Sequence, residues 1–475
     1  MPLSIHDLGQ QRAWPEADFE ALVGAAAADL RARLSQPRGA RVAGLARNGV
    51  ELLALMLACF RVGAVFVPLN WRLSRDELAA LLKDCEASLV YTQQEFRPLL
   101  RDIAIPCPAL EAGFAPRADG VPGLEDDSAL AILLYTSGTS GRPKGVMLTR
   151  ANLKASSEAF CRVADVRPES GLLCDAPMFH VIGLVAICHT AVMVGARLLL
   201  SPTFSAEATV LRIADQRLLI THYFTVPQAA QMILQSPNCT AEAFGRLRGL
   251  FIGGAPLSHE LARAWQRRGV QIINGYGSSE AGTVIHMPLD QPEIQAAKIG
   301  SVGRPVPGME VSLRGADGNP VADGDVGELW LRGASITSGY WRQPSETRQA
   351  FCDGWFRSGD LGRCDADGYY FLVGRLKDMY ISGGENIYPA EVERVIAQIL
   401  GVREVAVVGQ PDPTWGEVGE AYVVSAPNAR LSGEDIIRWV RDRIAAYKVP
   451  KRVHFLDALP RTASGKIRTA DLRRS

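Results

Sequence analysis

The 475-residue sequence has no Cys-x-x-Cys pair, no apolar run long enough to cross a bilayer and no excess of either charge. Its nine cysteines, at 59, 85, 107, 161, 174, 188, 239, 352 and 364, are dispersed. An odd, scattered set excludes a disulfide framework and a thiolate zinc site, and predicts reduced thiols in a reducing compartment. The longest apolar stretch, 181–196, contains His189 and Thr190 and is closed by Arg197, so it is too short and too polar for a membrane span. Asp7, Glu16, Asp18 and Glu20 stand where a secretion signal needs an apolar run. A soluble, cytoplasmic protein is expected. The 51 Lys and Arg against 51 Asp and Glu argue against a surface built for nucleic acid or anionic membrane. The seven histidines form no ligand-spaced cluster, and no Gly-x-Ser-x-Gly elbow supports a serine hydrolase. Repeats of 20 to 50 residues and low-complexity tracts are also missing.

What is present is alternation. Helical spacing over 19–34, 49–62 and 76–83 alternates with strand-like runs at 41–46, 64–68 and 87–91. The pattern returns with strands at 197–201, 220–224, 247–253 and 271–274 and helices at 206–216, 227–235 and 258–269. Such βαβα order predicts two doubly wound, mostly parallel α/β halves in one large N-terminal region. Between 303 and 370 short β segments separated by Gly, Asp and Pro turns predict a small barrel or antiparallel sheet. Beyond 374 a small α+β domain is expected, giving an N-terminal domain 1–374, a hinge 375–379 and a C-terminal domain 380–475.

Four segments could carry chemistry. In Tyr135-Thr-Ser-Gly-Thr-Ser-Gly-Arg-Pro-Lys144-Gly145 an apolar run enters a loop of small hydroxyl and glycine residues that ends in a lysine. Glycines let backbone N–H groups approach a polyphosphate, hydroxyls add donors and the lysine adds a point charge. It is not a Walker A loop, because 146–148 continues as a strand rather than opening a helix. Asn274-Gly-Tyr-Gly-Ser-Ser-Glu280-Ala-Gly282 places an aromatic, two hydroxyls and a carboxylate together. An aromatic face stacks on a purine, and a carboxylate beside a phosphate loop holds Mg²⁺; a packed turn residue and a helix-terminal charge are the plainer alternatives. Gly354-Trp-Phe-Arg-Ser-Gly-Asp360-Leu-Gly362 is turn-rich, and its Asp suits a ribose diol or an ordinary β-turn. Arg375, fifteen residues on, could share that sugar. Pro460-Arg-Thr-Ala-Ser-Gly-Lys466 sets a lysine near the end of the chain, by itself no more than an exposed terminal cation. His180 lies in Ala176-Pro-Met-Phe-His-Val-Ile-Gly183, as a pocket wall or a satisfied core histidine.

These segments, with Gly253-Gly-Ala-Pro256, Gly374-Arg-Leu-Lys-Asp378 and Ser382-Gly-Gly-Glu-Asn386, together resemble the adenylate-forming superfamily of acyl- and aryl-CoA synthetases, carrier-loading adenylation domains and beetle luciferases. Pro177-Met-Phe-His180 and the segment from Lys377 to Glu391 look most like the fatty acyl-CoA synthetase branch. Ser279 stands where the family commonly has Thr, keeping the hydroxyl, and Ile381 stands where luciferase relatives carry a lysine.

The resemblance implies a two-step ligase using ATP, Mg²⁺ and coenzyme A, in which a carboxylate attacks the α-phosphate and a thiol then displaces AMP. By motif, Thr136, Ser137, Gly138, Thr139, Ser140 and Lys144 would cradle the β and γ phosphates. Gly254, Ala255 and Pro256 would flank the adenine beside Asn274 and Gly275, with Tyr276 stacked on it. Ser279 would touch phosphate, Glu280 would hold Mg²⁺, Asp360 and Arg375 would grip the ribose, and Lys466 would bridge the carboxylate and α-phosphate. The C-terminal domain would swing about Lys377 and present Ser382, Gly383 and Gly384 to the pantetheine arm. His180, Val181, Ile182, Gly275, Gly277, Ala281, Gly282, Thr283 and Val284 would line the acid pocket, with His180 also among the catalytic candidates. They are small or apolar, with no Asp for an amino group and no Arg for a second carboxylate, so a fatty or otherwise apolar acid is expected and an aryl acid is the alternative. Three readings compete: acyl-CoA synthetase, an enzyme loading a carrier protein, and a non-catalytic nucleotide binder. A homodimer is compatible with all three. The neutral total also hides an asymmetry, because residues 436–475 hold eleven Lys and Arg against three Asp and Glu. A lid closing over anionic substrates wants such a surface, and a solvated basic tail is the plainer reading.

Overall fold

Helix Glu16–Arg33 begins with Glu16 and Asp18 and ends with Arg31 and Arg33, charges that complement its dipole. It buries Phe19, Val23, Ala26, Ala27 and Leu30 against helix Val50–Val62, whose sequence is apolar on nearly every side. Gly63, at φ +73°, ends that second helix, and its amide returns to the carbonyls of Cys59 and Phe60. A third helix, Arg75–Asp84, opens on a reciprocal cap between Ser74 and Glu77.

The computed structural model describes residues 3–101, 103–111, 113–114, 126–136, 143–382, 385–427, 429–461 and 467–473. The chain divides into two compact units, Met1–Glu310 with Leu331–Phe356, and Val311–Trp330 with Arg357–Ser475. As the alternation predicts, this is a mixed α/β chain with a larger N-terminal and a smaller C-terminal unit.

The first unit holds two sheets. One has five strands in the order Ala87–Thr92, Arg41–Leu45, Val65–Pro68, Leu130–Thr136 and Lys144–Thr149, all parallel but the last. Strand Val65–Pro68 is buried along its whole length, as expected of a parallel sheet covered on both faces. The other has nine strands, with a parallel centre of Ile272–Ser278, Gly249–Ile252, His222–Thr225, Gly171–Cys174, Arg197–Leu200 and Ser4–Asp7. Trp265, Tyr223, Leu173 and Leu250 fill its core. The hairpin Ser4–Asp7 with Arg12–Pro15, which the sequence reading does not anticipate, closes one edge. Asp7 holds it there: its carboxylate accepts from the amides of Gly9 and Gln10 and, at 3.0 Å, from that of Val50 at the start of a helix.

Parallel alignment has a functional consequence. Strands Gly171–Cys174, His222–Thr225, Gly249–Ile252 and Ile272–Ser278 share one direction, so the loops that follow them, 175–181, 226, 253–258 and the 275–282 turn, meet at one edge. In open α/β sheets this carboxyl edge is where ligands bind.

Beyond residue 305, Met309–Arg314, Gly327–Gly333, Phe351–Cys352, Trp355–Cys364 and Tyr370–Arg375 form a five-stranded sheet in which Trp355–Cys364 pairs antiparallel with both Phe351–Cys352 and Tyr370–Arg375. The stretch 354–362, read from sequence as turn-rich, is a ten-residue strand with a bulge at Leu361/Gly362. In the second unit a mixed sheet of Tyr380–Ser382, Glu385–Ile387, Val402–Asp412, Gly416–Ser425 and Arg452–Phe455 carries helices Pro389–Ile396 and Gly433–Arg441 on a core of Val407, Val423, Ile396 and Ile436. Positions 374–379, where the sequence suggests a boundary and hinge, fall among residues of the second unit: Arg375 is opposite Asp360, the Leu376 amide donates to Gly359, and helix Pro389–Ile396 packs on strand Tyr370–Arg375. Among the described residues no helix is long and apolar enough to cross a membrane.

Candidate active site

The carboxyl edge of the nine-stranded sheet carries most of the residues that the sequence singles out. Strand Ile272–Ser278 pairs in parallel with Gly249–Ile252 and then turns to pair antiparallel with Gly282–His286. Tyr276 sits at that change of partner, opposite Ile285, next to a bulge at Tyr276/Gly277. Two glycines permit the close turn. A Cβ on Gly277 would lie 2.1 Å from the Gly282 carbonyl oxygen, and one on Gly282, at φ +65°, would lie 2.2 Å from Ser156 Oγ. Both are therefore required by packing. Asn274 is buried, and its Nδ2 donates to the Ser301 carbonyl at 2.8 Å, a structural bond. Gly254, Ala255 and Pro256 are exposed on the loop after Gly249–Ile252. A Cβ on Gly254 would stand 3.3 Å from Ile182 Cδ1, so the 253–256 loop and the first turn of the 182–189 helix are neighbours.

That helix, Ile182–His189, is a π-helix, a form concentrated at functional sites. Its approach is built by Asn48, whose Nδ2 donates to Ala176 and whose Oδ1 accepts from Met178 N, both at 2.9 Å. Gly183 is needed because a Cβ there would meet the Pro177 carbonyl at 2.5 Å. His180, Val181 and Ile182 are half-buried, and the His180 ring packs edge-on against Phe179 with centroids 4.6 Å apart. Of the other expected pocket residues, Thr283 is half-buried, whereas Ala281 and Val284 are buried completely. Beneath the loop, Asp175 accepts hydrogen bonds from Thr209 and Tyr223, and burial pushes its carboxyl up to about 6.

Thr136 and Lys144 are paired residues of the hairpin Leu130–Thr136/Lys144–Thr149. Ser137, Gly138, Thr139 and Ser140 lie outside the described residues. Lys144 Nζ is 4.9 Å from the centre of the Tyr340 ring. The Tyr340 hydroxyl in turn donates to Glu280 Oε1 at 3.2 Å, and the Glu280 carbonyl accepts from Thr337 N at 2.7 Å. The lysine of one motif and the carboxylate of another are thus joined through a residue that the sequence reading misses. Its only signal was an aromatic after the glycine of Thr337-Ser-Gly339. Beside Glu280, Ser278 Oγ is buried with no partner among the described residues, an orphan that a phosphate oxygen or a cation-bound water would satisfy. Mg²⁺ takes hard oxygen ligands and is commonly held by one or two carboxylates plus substrate phosphates. Glu280, beside the unpartnered Ser278 hydroxyl, fits that donor set. No group of three or more His, Cys, Asp or Glu able to hold a metal occurs among the described residues. An open cleft of about 240 Å³ lined by Phe60, Arg150, Lys154, His189 and Met193 involves none of these residues, so the motif loops and not the cleft locate the site.

In the second unit Asp360 and Arg375 are brought together by strand register, Nε to Oδ1 at 2.8 Å. Lys377 is exposed in a turn where the amides of Asp378 and Met379 both donate to the Arg375 carbonyl. Ser382 is buried, opposite Gly416; Gly383, Gly384 and Lys466 lie outside the described residues. Glu393 is half-buried and accepts from Val407 N at 2.8 Å; desolvation, with the charge of Asp378, raises its carboxyl to about 7.

The chain matches the AMP-binding enzyme family over residues 7–341 and the AMP-binding enzyme C-terminal domain over 391–466. It is 40% identical over 464 residues to a feruloyl-CoA synthase of Amycolatopsis sp, covering 96% of this chain and 93% of that one. It is 37% identical over 449 residues to an indoleacetate–CoA ligase of Aromatoleum aromaticum, covering 91% and 87%. The crystal structure of ATP-bound MatB from Rhodopseudomonas palustris superposes with a TM-score of 0.92 at 31% identity, covering 100% of this chain and 95% of that one. The chain belongs to the AMP-binding enzyme family. Within that family it is an ATP-dependent acid–thiol ligase.

Proposed function

We propose that this enzyme is an aryl- or acyl-CoA ligase that activates an apolar carboxylic acid. One carboxylate oxygen attacks the α-phosphorus of ATP, and the bond to pyrophosphate breaks to give an acyl-adenylate. The CoA sulfur, having lost its proton, then attacks the acyl carbon, and the bond to AMP breaks. The observation that carries the reading is the meeting of Lys144, Tyr340 and Glu280 in the unit whose sheet edge presents Tyr276 and the 253–256 loop. Two anions must be brought together, so the chain's task is charge neutralisation more than acid–base chemistry. Lys144 and the 137–140 loop take the terminal phosphates, Tyr276 takes the adenine, Asp360 and Arg375 take the ribose, and Lys466 takes the carboxylate and α-phosphate. Glu280 would hold Mg²⁺, which when bound offsets charge on the phosphates, and Thr136 and Ser279 would add hydroxyl contacts to those phosphates. Ser382, Gly383 and Gly384 pass the pantetheine arm, and the segment around Lys377 serves as the hinge that withdraws Lys466 between steps.

The sequence alone pointed to a fatty or otherwise apolar acid. Both CoA ligases described above are named for aromatic acids, which moves the reading to an aryl-substituted acid seated against His180, Val181 and Ile182. Their names also favour CoA over a carrier protein as acceptor.

The test is a panel of aryl, indolyl and straight-chain acids, read first as pyrophosphate release and then as thioester by mass, with CoA and a holo-carrier protein as acceptors. Aryl acids should give the fastest pyrophosphate release and a CoA thioester, and Lys466→Ala should abolish release. ATP binding without pyrophosphate from any acid would instead leave a non-catalytic nucleotide binder, and thioester on the carrier alone would exclude CoA as acceptor.

A further inference from the structure

The geometry points to Tyr340 as a positioning residue that keeps Glu280 and Lys144 apart and aims each at a different part of magnesium-bound ATP. The inference rests on reading Glu280 as the cation's carboxylate and Lys144 as a phosphate cation. Tyr340 is only 9% exposed and is fixed from three directions. Its backbone bridges Val146 on the strand that Lys144 begins, with Met147 N donating to Gly339 and Trp341 N donating to Gly145 on either side. Its own amide donates to Thr347 Oγ1 at 3.0 Å. Gly339 allows this approach: it has φ +136°, and a Cβ there would lie 2.4 Å from Thr347 Cγ2.

With the backbone anchored, the side chain presents two unlike surfaces. The ring face carries the Lys144 ammonium at 4.9 Å, where the quadrupole attracts a cation. The hydroxyl edge donates to Glu280 Oε1 at 3.2 Å. Without such a spacer, a lysine and a glutamate on adjoining elements would tend to collapse into an ion pair, and each would have to be pulled off the other before meeting nucleotide. With it, both charges are satisfied yet available, the kind of preorganisation that lowers the cost of binding. A single hydroxyl also restricts the carboxylate, leaving its second oxygen for the cation.

Two variants separate the surfaces. Tyr340→Phe keeps the ring and removes the hydroxyl; Tyr340→Leu removes both. The readout is ATP affinity by calorimetry at stepped Mg²⁺, alongside pyrophosphate–ATP exchange. Tyr340→Phe should raise the Mg²⁺ concentration for half-maximal ATP binding about tenfold, the size expected for a hydrogen bond to a charged group, with affinity for ATP in EDTA unchanged. Tyr340→Leu should weaken ATP binding in EDTA as well. In a Glu280→Gln background Tyr340→Phe should add nothing further. A tenfold effect that persists in that background, or a Mg²⁺ dependence unchanged in Tyr340→Phe while Glu280→Gln alters it, overturns the positioning role alone. If Glu280→Gln itself leaves Mg²⁺ dependence unchanged, the assignment of Glu280 falls and this inference with it. Melting temperatures of all variants identify any loss that comes from unfolding, and a Tyr340→Phe protein that melts as wild type with unaltered ATP binding also overturns the role.

Discussion

Asp360 and Arg375 stand opposite each other on neighbouring antiparallel strands, and Arg375 Nε donates to Asp360 Oδ1 at 2.8 Å. The Arg375 side chain is 48% exposed and that of Asp360 only 11%. The Arg375 side chain is well hydrated at that exposure, so Asp360→Asn should cost about 1 kcal/mol of stability or less. If the pair grips the ribose, the same change should raise KM for ATP about tenfold to a hundredfold through lost charge-assisted hydrogen bonds. Thermal melts and pyrophosphate–ATP exchange measure the two effects separately. An unchanged KM would remove the pair from the nucleotide site.

Buried groups beneath the site give opposite pH slopes. Burial raises Asp175 to about 6, so the folded state holds its proton where the unfolded chain has lost it. The stability this contributes is complete below about 4 and is lost as pH rises through 6. Burial lowers His286 to about 4, and burial with Arg150 does the same to His189. Their contribution is complete above about 6.5 and is lost as pH falls through 4. Urea unfolding at pH 4 to 7 should therefore show wild type losing stability relative to Asp175→Asn as pH rises, by a total on the order of 3 kcal/mol. Relative to His286→Asn it should lose stability as pH falls. Parallel curves would contradict either assignment.

Backbone crowding at the turn predicts a sharp contrast between two glycines. A Cβ at Gly277 meets the backbone of Gly282 at 2.1 Å, so Gly277→Ala has to displace the hairpin that carries Glu280. A loss on the order of 1–3 kcal/mol is expected, with adenylation falling alongside. Gly24, inside helix Glu16–Arg33, has nothing within 4 Å of such a Cβ, and Gly24→Ala should stabilise by about 0.5–1 kcal/mol. Equal melting temperatures for the two variants would refute the crowding argument.

The thiols should be inert. Cys59, Cys85, Cys174, Cys188 and Cys239 are buried, and burial raises the pKa of half-buried Cys107 and takes that of Cys161 to about 11. Iodoacetamide at neutral pH should label at most Cys107, Cys161, Cys352 and Cys364, slowly, by mass analysis of the native protein. Ligase activity should survive. Rapid labelling at Cys174 or Cys188 would mean that the sheet edge opens in solution.

Much of the fold was legible because its elements are locally consistent. The helices at 16–33, 50–62 and 75–84 alternate with their strands along the sequence, and local signals mark some of their ends: Gly63 closes the second and the Ser74/Glu77 box opens the third. What was not legible depended on distant partners. Ser4–Asp7 is too short to signal a strand, and it exists because Arg197–Leu200 pairs with it and Asp7 caps a helix. The glycines of 354–362 suggested turns, yet Gly362 is a strand residue at which a Cβ would meet Leu329 at 2.7 Å. Residue types alone singled out Lys144 and Glu280 in the first unit and, separately, Asp360 and Arg375 in the second, whereas Tyr340 acquires meaning only through its bridge to Val146. Asn274, Gly277 and Gly282 stand in a segment that the sequence singles out for chemistry, and hydrogen bonding and packing account for them.

The edge hairpin of Ser4–Asp7 and Arg12–Pro15 has a temporal consequence. Ser4–Asp7 leaves the ribosome well before its parallel neighbour Arg197–Leu200, which follows only after nearly two hundred residues. At about 5–20 residues per second that is a wait of about ten seconds or more with one hairpin lacking its sheet. The largest sheet therefore cannot be finished in the order of translation. Its opening segment must stay soluble while the five-stranded half assembles, and then return to seal an edge that would otherwise invite a second chain.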